Sequence, residues 1–187
     1  LDGLLSNSEW TGVMLSTILQ EVGVQPGASW VLAEGRDAAM LSRSIPLAKA
    51  MDDAMLAYGQ NGEAIRPEQG YPLRLALPGW EGNAQVKWLR RLEVSDRPTM
   101  TREETSKYTD PLEGGTARQF SFVMDAKSII TFPSYPYVLP EQGWWEIKGL
   151  AWTGRGKITS VEVSTDGGRN WTEAELQPPI LSKATVR

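Results

Sequence analysis

The stretch that decides the fold is Pro67–Val94, PEQGYPLRLALPGWEGNAQVKWLRRLEV. Leucines at every second position of Leu73–Leu77 form the period-two pattern of a strand with two different faces. Pro78-Gly79 ends that strand, and a second run follows a loop that contains glycine and tryptophan. Arg74 therefore lies on the face opposite the leucines, and Lys87 follows the loop. The segment predicts two strands that hold cations on both sides of a short loop.

The clustered cations Arg74, Lys87, Arg90 and Arg91 allow two interpretations. Composition alone favours a solvated face, because charged runs usually lie in water. In the other interpretation, Arg74 and Lys87 are held on ordered backbone beside glycines that let a ligand approach closely. That arrangement suits an anion such as a phosphate. The residues by themselves leave both interpretations open.

The composition excludes several classes of chemistry. The 187 residues are 41% hydrophobic, include 18 glycines, carry a net charge of −4 and contain neither Cys nor His. Disulfides, cysteine nucleophiles, Ser-His-Asp triads and the usual zinc sites are therefore excluded, and we expect no metal ligands among these residues. The net charge favours neither nucleic acid nor an acidic membrane as partner, and no apolar run approaches the roughly 18 residues of a membrane span. Chemistry within the chain must rest on carboxylates, Tyr, Lys, Arg or a bound cofactor.

The first half of the chain predicts a mixture of helices and strands. The pattern indicates a helix over Trp10–Val24, a strand over Trp30–Leu32, a helix over Ile45–Met51 capped by Ser44, and a hairpin whose turn is Asn61-Gly62.

The second half predicts a different architecture. Residues 95–119 are rich in charged residues, Thr, Gly and Pro, which is typical of a linker or a functional loop. Beyond Gln119, strand-like runs recur about every dozen residues: Ser128–Phe132, Trp144–Trp152, Ile158–Ser164 and Trp171–Leu176. This spacing suggests an immunoglobulin-like sandwich, truncated because such a sandwich needs roughly 100 residues. We predict an α+β chain with a first domain at 1–97, a linker or active-site loop at 98–119 and a β domain at 120–187.

Several long segments resemble the sulfite oxidase family of molybdenum-cofactor enzymes. They are SEWTGVMLSTIL (Ser8–Leu19), RSIPLAKAM (Arg43–Met51), NGEAIRPEQGYPLRLALPGWEGNAQVKWL (Asn61–Leu89) and VEVSTDGGRNW (Val161–Trp171). Two more are similar to the sulfane dehydrogenase subfamily of the bacterial thiosulfate-oxidising (Sox) system: MTREETSKYTDP (Met100–Pro111) and FVMDAKSIITFPS (Phe122–Ser134). The resemblance implies the C-terminal part of a sulfite-oxidase-like molybdopterin domain, followed by an immunoglobulin-like dimerisation domain.

The resemblance implies that Mo-molybdopterin is the cofactor and assigns residues to it. The implied pterin-binding set is Asp37, Gln69, Arg74, Gln85, Val86 and Lys87. Asp37 would accept hydrogen bonds from the pterin amino groups. Arg74, Lys87 and backbone amides near Gln85-Val86 would hold the phosphate through charge-assisted hydrogen bonds. Many relatives carry a His in place of Gln69, and Gln69 cannot carry the positive charge of that His.

The resemblance also implies catalytic residues and a ligand that this sequence lacks. Tyr108 lies where the family has an active-site tyrosine near the metal, although a tyrosine that anchors a linker is the simpler interpretation without the family. Arg187 lies close to where relatives carry a substrate-binding arginine. The family's molybdenum-binding cysteine lies upstream of the part that resembles Leu1–Trp10, so we expect the 187 residues alone to be inactive. The N-terminus lacks a signal-peptide pattern. It also lacks an initiator Met, so we expect a processed or excised piece of a longer chain.

The remaining aromatic and acidic residues have ordinary interpretations beside functional ones. We call the loop that leads from the first predicted strand to Lys87 the cation loop. Trp80 and Trp88 flank it and either line a pterin pocket or pack under the loop. The tryptophans of residues 144–171 are more typical of core or interface than of a ligand platform. Glu103 and Glu104 lie in a polar stretch, and we predict that they are solvated.

The resemblance implies an oxidoreductase that acts on a reduced sulfur compound, sulfane sulfur or sulfite, and passes electrons to a c-type cytochrome subunit. It also implies a homodimer through the C-terminal domain and a periplasmic location. One alternative is a non-catalytic module for dimerisation or cytochrome docking. Another is a sugar-binding sandwich that uses the tryptophans. The two sulfur substrates are not separable from these residues.

Overall fold

The computed structural model describes residues 5–187, which divide into two compact units. Ser8–Phe122 form the N-terminal unit, and residues 5–7 together with Val123–Arg187 form the C-terminal unit. Among the described residues, no helix is both long and apolar enough to cross a membrane. The elements are, in order, β1 (Trp10–Met14), α1 (Leu15–Val22), β2 (Trp30–Gly35), β3 (Ser42–Pro46), α2 (Leu47–Asp52), β4 (Met55–Gln60), β5 (Glu63–Ala64), β6 (Arg74–Ala76), β7 (Leu89–Ser95), β8 (Asp110–Pro111), β9 (Ala117–Arg118), β10 (Lys127–Phe132), β11 (Lys148–Trp152), β12 (Glu162–Val163) and β13 (Thr172–Glu173).

The N-terminal unit contains two main antiparallel sheets. In one, β4 pairs with β1, β5 and β6; in the other, β2 lies between β3 and β7. The predicted hairpin between β4 and β5 is confirmed. Asn61 and Gly62 have φ of 53° and 80°, and positive φ at both positions is what its tight turn requires.

One hydrophobic core lies within the N-terminal unit and joins its sheets to its helices. Its buried members are Leu15, Leu19, Val31, Ala33, Ile45, Ala50, Ala54, Leu75, Leu77, Ala84 and Val86. Leu75 and Leu77 therefore lie in the core, and Val86 anchors the end of the loop that follows. Arg74 and Ala76, on the other face of the strand, are buried as well. Core packing thus fixes the backbone on both sides of the cation loop.

Two predicted helices begin later than the sequence pattern indicates. Residues Trp10–Met14 form β1 instead of helix, because they pair along β4, and only Leu15–Val22 are helical. Ser44 is not a helix cap: it lies within β3, and its hydroxyl donates to the Thr99 carbonyl oxygen (2.9 Å). Helix α2 begins after Pro46 and has no side-chain cap. Tertiary pairing overrides local periodicity in both places.

The C-terminal unit consists of short antiparallel strands. β10 pairs with β11, β12 pairs with β13, and Ala151 forms an isolated bridge with Val186. The β12–β13 pairing forms a hairpin whose turn includes residues 165–169, between two of the predicted strand-like runs. A cavity of about 610 Å³ is lined by residues of both hairpins. The immunoglobulin-like arrangement stays a prediction.

Candidate cofactor and active site

Three segments of the N-terminal unit lie side by side and form the candidate site. The Trp88 N–H donates to the Gly70 carbonyl oxygen (3.3 Å), and the Arg36 N–H donates to the Trp88 carbonyl oxygen (2.8 Å). The Leu75 N–H donates to the Val86 carbonyl oxygen (2.8 Å). The turn after β2, the approach to β6 and the segment before β7 are therefore neighbours, although they are far apart in sequence.

Two glycines allow these segments to come close together. A Cβ atom on Gly35 would lie 2.7 Å from the Lys87 carbonyl oxygen and 3.5 Å from Asp37 Oδ1. A Cβ atom on Gly70 would lie 3.0 Å from Lys87 Cα and 3.2 Å from Arg74 Cβ, and Gly70 has a φ of 110°, which side chains rarely adopt. The structure therefore brings Asp37, Arg74 and Lys87 to one place, around two positions without side chains.

Arg74 is a buried cation without an acidic partner. Only 7% of the residue is exposed, and within residues 5–187 it pairs with no carboxylate. One guanidinium nitrogen donates to the carbonyl oxygen of Gln69 (3.0 Å), and Nε has no hydrogen-bond partner in the described part of the chain. The guanidinium carbon lies 4.7 Å from the ring centroid of Trp10. Burial lowers the pKa of Arg74, and Arg nevertheless stays protonated in proteins, so the site has an unmatched positive charge.

The neighbouring side chains complete the cation site, which we define as Asp37, Gln69, Arg74 and Lys87. Lys87 Nζ donates to the Glu68 carbonyl oxygen (2.7 Å). Asp37 Oδ1 accepts the Leu41 N–H (2.9 Å), which fixes the carboxylate in its turn. The side-chain oxygen of Gln69 lies 3.4 Å from Arg74 Nη1, so this amide helps to orient the guanidinium.

Gln85 stabilises the cation loop from within. Its side chain accepts the Leu77 N–H and donates to the Leu77 carbonyl oxygen, both at 2.8 Å. Its own N–H donates to the Gly82 carbonyl oxygen (3.1 Å), so that amide already has a partner. The side chain of Val86 is fully buried in the core. Roles of Gln85 and Val86 toward a phosphate stay predictions.

The solvated interpretation is wrong for Arg74 and correct for the cations of β7. Arg90 and Arg91 are exposed, and both lie within ion-pair distance of Glu34. Of the tryptophans that flank the loop, Trp80 stacks on Phe122 with ring centroids 4.1 Å apart. That contact agrees with packing under the loop.

The other flanking tryptophan, Trp88, donates its indole N–H to the Pro67 carbonyl oxygen (2.8 Å), next to the cation site. Trp144 of the C-terminal unit is fully exposed and does not belong to a core.

The two residues that the resemblance assigns to catalysis belong to different units. Tyr108 follows a π-helical turn, Glu103–Lys107, and is 41% exposed. Arg187 lies in the C-terminal unit, is exposed, and accepts the Gln177 N–H at its carbonyl oxygen (2.7 Å). Their catalytic roles stay predictions.

Sequence reasoning missed a buried ion pair beside Tyr108. The prediction that Glu103 and Glu104 are solvated is wrong, because they are 5% and 0% exposed. Arg43 Nε lies 3.5 Å from Glu104 Oε1, and an Arg43 guanidinium N–H donates to Asn83 Oδ1 (2.6 Å). Neither residue type nor spacing shows this contact in the sequence, since the partners come from separate segments that only the fold brings together.

Comparison with known families agrees with this architecture. Residues 1–103 match the oxidoreductase molybdopterin binding domain, and residues 118–185 match the Mo-co oxidoreductase dimerisation domain. The fold and the site therefore define a molybdopterin-binding oxidoreductase domain followed by a dimerisation domain. The chain belongs to the sulfite oxidase family of molybdenum-cofactor enzymes.

Individual relatives and a solved structure are similar over nearly the whole chain. Mitochondrial sulfite oxidase of Drosophila melanogaster is 35% identical over 94% of this chain and 34% of its own length. Nitrate reductase [NADH] 1 of Phaseolus vulgaris is 30% identical over 94% of this chain and 23% of its own length. The crystal structure of the sulfane dehydrogenase SoxCD from Paracoccus pantotrophus superposes with a TM-score of 0.91 at 54% identity, covering 96% of this chain and 46% of that chain. The chain thus spans between about a quarter and about a half of the proteins that it matches.

The residues present fit one end of Mo-molybdopterin, the family's cofactor. The unmatched charge of Arg74 and the neighbouring Lys87 suit its phosphate, and the Asp37 carboxylate is an acceptor for amino groups. Within residues 5–187, no cluster of three His, Cys, Asp or Glu is arranged to hold a metal ion. These residues therefore fit the pterin and its phosphate and supply no cluster of ligands for the metal.

Proposed function

We propose that the protein containing this chain uses Mo-molybdopterin to oxidise a reduced sulfur compound, sulfane sulfur or sulfite, and passes the electrons to a c-type cytochrome subunit. The observation that carries the proposal is the buried, unmatched charge of Arg74 beside Lys87. A buried cation is costly without an anion, and the cofactor phosphate supplies one. The similarity to a sulfane dehydrogenase and to sulfite oxidases supports a sulfur substrate.

In this proposal each residue of the site has a defined task. Arg74 and Lys87 bind the phosphate, Asp37 accepts hydrogen bonds from the pterin ring, and Gln69 holds Arg74 in orientation. When bound, the molybdenum centre supplies two-electron oxygen-atom transfer. For sulfite, the balanced reaction consumes water and yields sulfate, two protons and two electrons for the cytochrome.

The substrate anion requires partners of its own in this proposal. Tyr108 donates a hydrogen bond to the bound oxyanion. A substrate-binding role of Arg187, which the family resemblance implies, stays a separate prediction.

The location and assembly form a second part of the proposal. We infer that the protein works in the periplasm as a homodimer, and that the C-terminal unit belongs to an immunoglobulin-like dimerisation domain. The match of residues 118–185 to a dimerisation domain supports the dimer. Because the 187 residues contain no Cys, we also infer that a thiolate ligand lies outside them, and that they do not retain molybdenum alone.

Metal analysis of two purified samples tests this proposal. We expect about one molybdenum per chain in the full-length protein, and almost none in the 187-residue chain, because a thiolate ligand is needed to hold the metal. The full-length protein should reduce a c-type cytochrome when sulfite or a sulfane-sulfur donor is added. Stoichiometric molybdenum in the 187-residue chain would contradict the ligand inference. A full-length protein that dimerises but contains no pterin would support the non-catalytic module instead.

A further inference from the structure

A buried ion pair lies directly under the half-exposed Tyr108. Arg43 comes from β3 and Glu104 from the π-helical turn that precedes the tyrosine; they are 1% and 0% exposed. The Arg43 guanidinium carbon lies 5.2 Å from the centroid of the Tyr108 ring. All of these residues belong to the N-terminal unit.

The pair attaches the loop that carries Tyr108 to the edge of a sheet. β3 is an edge strand, and the Glu104 carboxylate accepts the backbone N–H of Ser44. The Thr101 hydroxyl donates to the Ser42 carbonyl oxygen (3.0 Å), and Gln119 Nε2 donates to the Glu104 carbonyl oxygen (3.2 Å). The Glu104 side chain thus satisfies an edge N–H that would otherwise lack a partner.

Attachment alone does not explain why the contact is made of charges. Arg43 Nε and Glu104 Oε2 are buried without a hydrogen-bond partner in the part of the chain that the structure describes. Burial lowers the pKa of Arg43, and the attraction of Glu104 opposes that shift. A neutral pair of side chains that kept an oxygen for the Ser44 N–H would hold the loop at least as well, because an incompletely hydrogen-bonded buried pair of charges rarely gains stability over neutral side chains.

Besides Glu104, the charged guanidinium of Arg43 also interacts with the aromatic ring of Tyr108. A cation over the face of an aromatic ring is attracted by the ring quadrupole and restricts the ring position. The guanidinium is itself held by Asn83, which donates its amide N–H to Glu81 Oε2 (2.9 Å). Asn83 lies in the turn that leads into Lys87, so the same contacts connect Tyr108 with the cation loop.

We propose that Arg43 and Glu104 are positioning residues that hold Tyr108 in place for the reaction. This inference rests on the proposed function, in which Tyr108 donates to the bound oxyanion. Arg43 is buried and does not reach the substrate; it acts through the tyrosine ring. Glu104 neutralises Arg43 and holds the loop on β3.

A double-mutant cycle of kcat values, measured in the full-length, molybdenum-loaded protein, tests the proposal. The paired variant Arg43→Met/Glu104→Gln removes both charges, keeps the side-chain volumes similar and retains a side-chain oxygen that accepts the Ser44 N–H. We expect its unfolding temperature and molybdenum content to match the wild type, and its kcat to fall at least about tenfold with little change in KM. In a Tyr108→Phe background, the paired variant should change kcat by less than about twofold, because the positioned hydroxyl is already gone. An equal loss of kcat in both backgrounds, or no loss in either, would overturn the proposal.

A second measurement reports on Tyr108 without the reaction. In protein labelled with 3-fluorotyrosine, the Tyr108 signal is assigned in the 19F spectrum by its disappearance in Tyr108→Phe. The paired variant should move this signal toward the position of free fluorotyrosine, whereas the control Glu103→Gln should not, because Glu103 pairs with the exposed Arg102. An unmoved signal would overturn the proposal.

Two further outcomes are also informative. If the paired variant fails to fold, Arg43→Lys takes its place in both measurements with the same outcomes. It keeps the charge but lacks the planar guanidinium. If Tyr108→Phe has normal activity while the fluorine signal still moves, the catalytic role of Tyr108 fails and the positioning contact stands.

Discussion

In the proposed function, Arg74 stabilises the bound cofactor and destabilises the cofactor-free protein. It is buried, its Nε has no hydrogen-bond partner among residues 5–187, and Gln69 supplies only neutral acceptors. Since an uncompensated buried charge destabilises a fold, binding of the proposed anion would explain why the residue is there. The period-two pattern of Pro67–Val94 could predict where Arg74 points, but not that it is buried, because burial depends on Trp10 and other distant residues.

The first prediction separates stability from cofactor binding at Arg74. Arg74→Met should raise the free energy of unfolding of cofactor-free protein by about 1 kcal/mol, because a desolvated charge is removed. The same variant should contain almost no pterin. Urea unfolding of protein from a cofactor-deficient host and pterin analysis of protein from a competent host measure the two effects.

The control for this prediction is Arg90→Met. Arg90 is exposed and pairs with Glu34 at the surface, so both quantities should stay near wild type. A less stable Arg74→Met variant that keeps its pterin would show that Arg74 is structural.

The second prediction concerns the close approach at Gly70. Gly70→Ala should lower the free energy of unfolding by about 2 kcal/mol or more. An alanine is strained at this positive φ, and its Cβ would come too close to Lys87. Gly62→Ala is the matched control: its φ is also positive, but a Cβ there meets nothing within 4 Å. It should cost about 1 kcal/mol. Equal losses in urea unfolding would mean that contact with Lys87 contributes nothing.

Strands that are joined by a local turn could be predicted from the sequence. Strands that form because they pair with a distant segment could not. The Asn61-Gly62 hairpin follows from turn chemistry that needs only neighbouring residues. The segment Trp10–Met14 carries a helical pattern but forms a strand, because β4 offers it hydrogen bonds. Glu104 looked solvated for the same reason: its partners lie on β3. The candidate site was predictable where the family resemblance assigned roles to residues. Arg43 and Glu104 lie in segments that resemble the family, but the resemblance assigned neither of them a role, and their contact depends on the fold.

The third prediction belongs to the β12–β13 hairpin. Asp166 accepts the backbone N–H groups of Asn170 and Arg169 (2.9 and 3.0 Å), one side-chain hydrogen bond from Asn170 and one from Ser164. These bonds, with those from Asn170 the largest influence, lower the pKa of Asp166 from 3.8 to about 2. A carboxylate with a lowered pKa contributes stability above its unfolded pKa and loses it as pH falls through the folded pKa.

Comparison with Asp166→Asn measures this contribution. The wild type should have the higher urea midpoint at pH 5, and the two midpoints should converge as the pH falls from about 4 toward about 2. Glu162→Gln, an exposed acid on the neighbouring β12, is the control and should show a smaller dependence. A midpoint difference that stays constant over this pH range would contradict the assignment.

For the whole molecule, the division into two units suggests a division of tasks. Every member of the hydrophobic core cluster that includes Leu75 and Val86 belongs to the N-terminal unit, and so does the cation site. The dimerisation match covers 118–185. Holding the pterin and joining two copies are therefore expected to be separable, even though one chain carries both.

The fourth prediction ends the full-length protein at Phe122, which removes Val123–Arg187, the main part of the C-terminal unit. The shortened protein should be a monomer in size-exclusion chromatography with light scattering, because the dimerisation domain is gone. It should still contain pterin, because the core and the cation site do not depend on the residues removed. Full-length protein at the same concentration is the control and should be a dimer. A shortened protein that remains dimeric would place the interface in the N-terminal unit, and one that folds but loses its pterin would show that the C-terminal unit contributes to holding the cofactor.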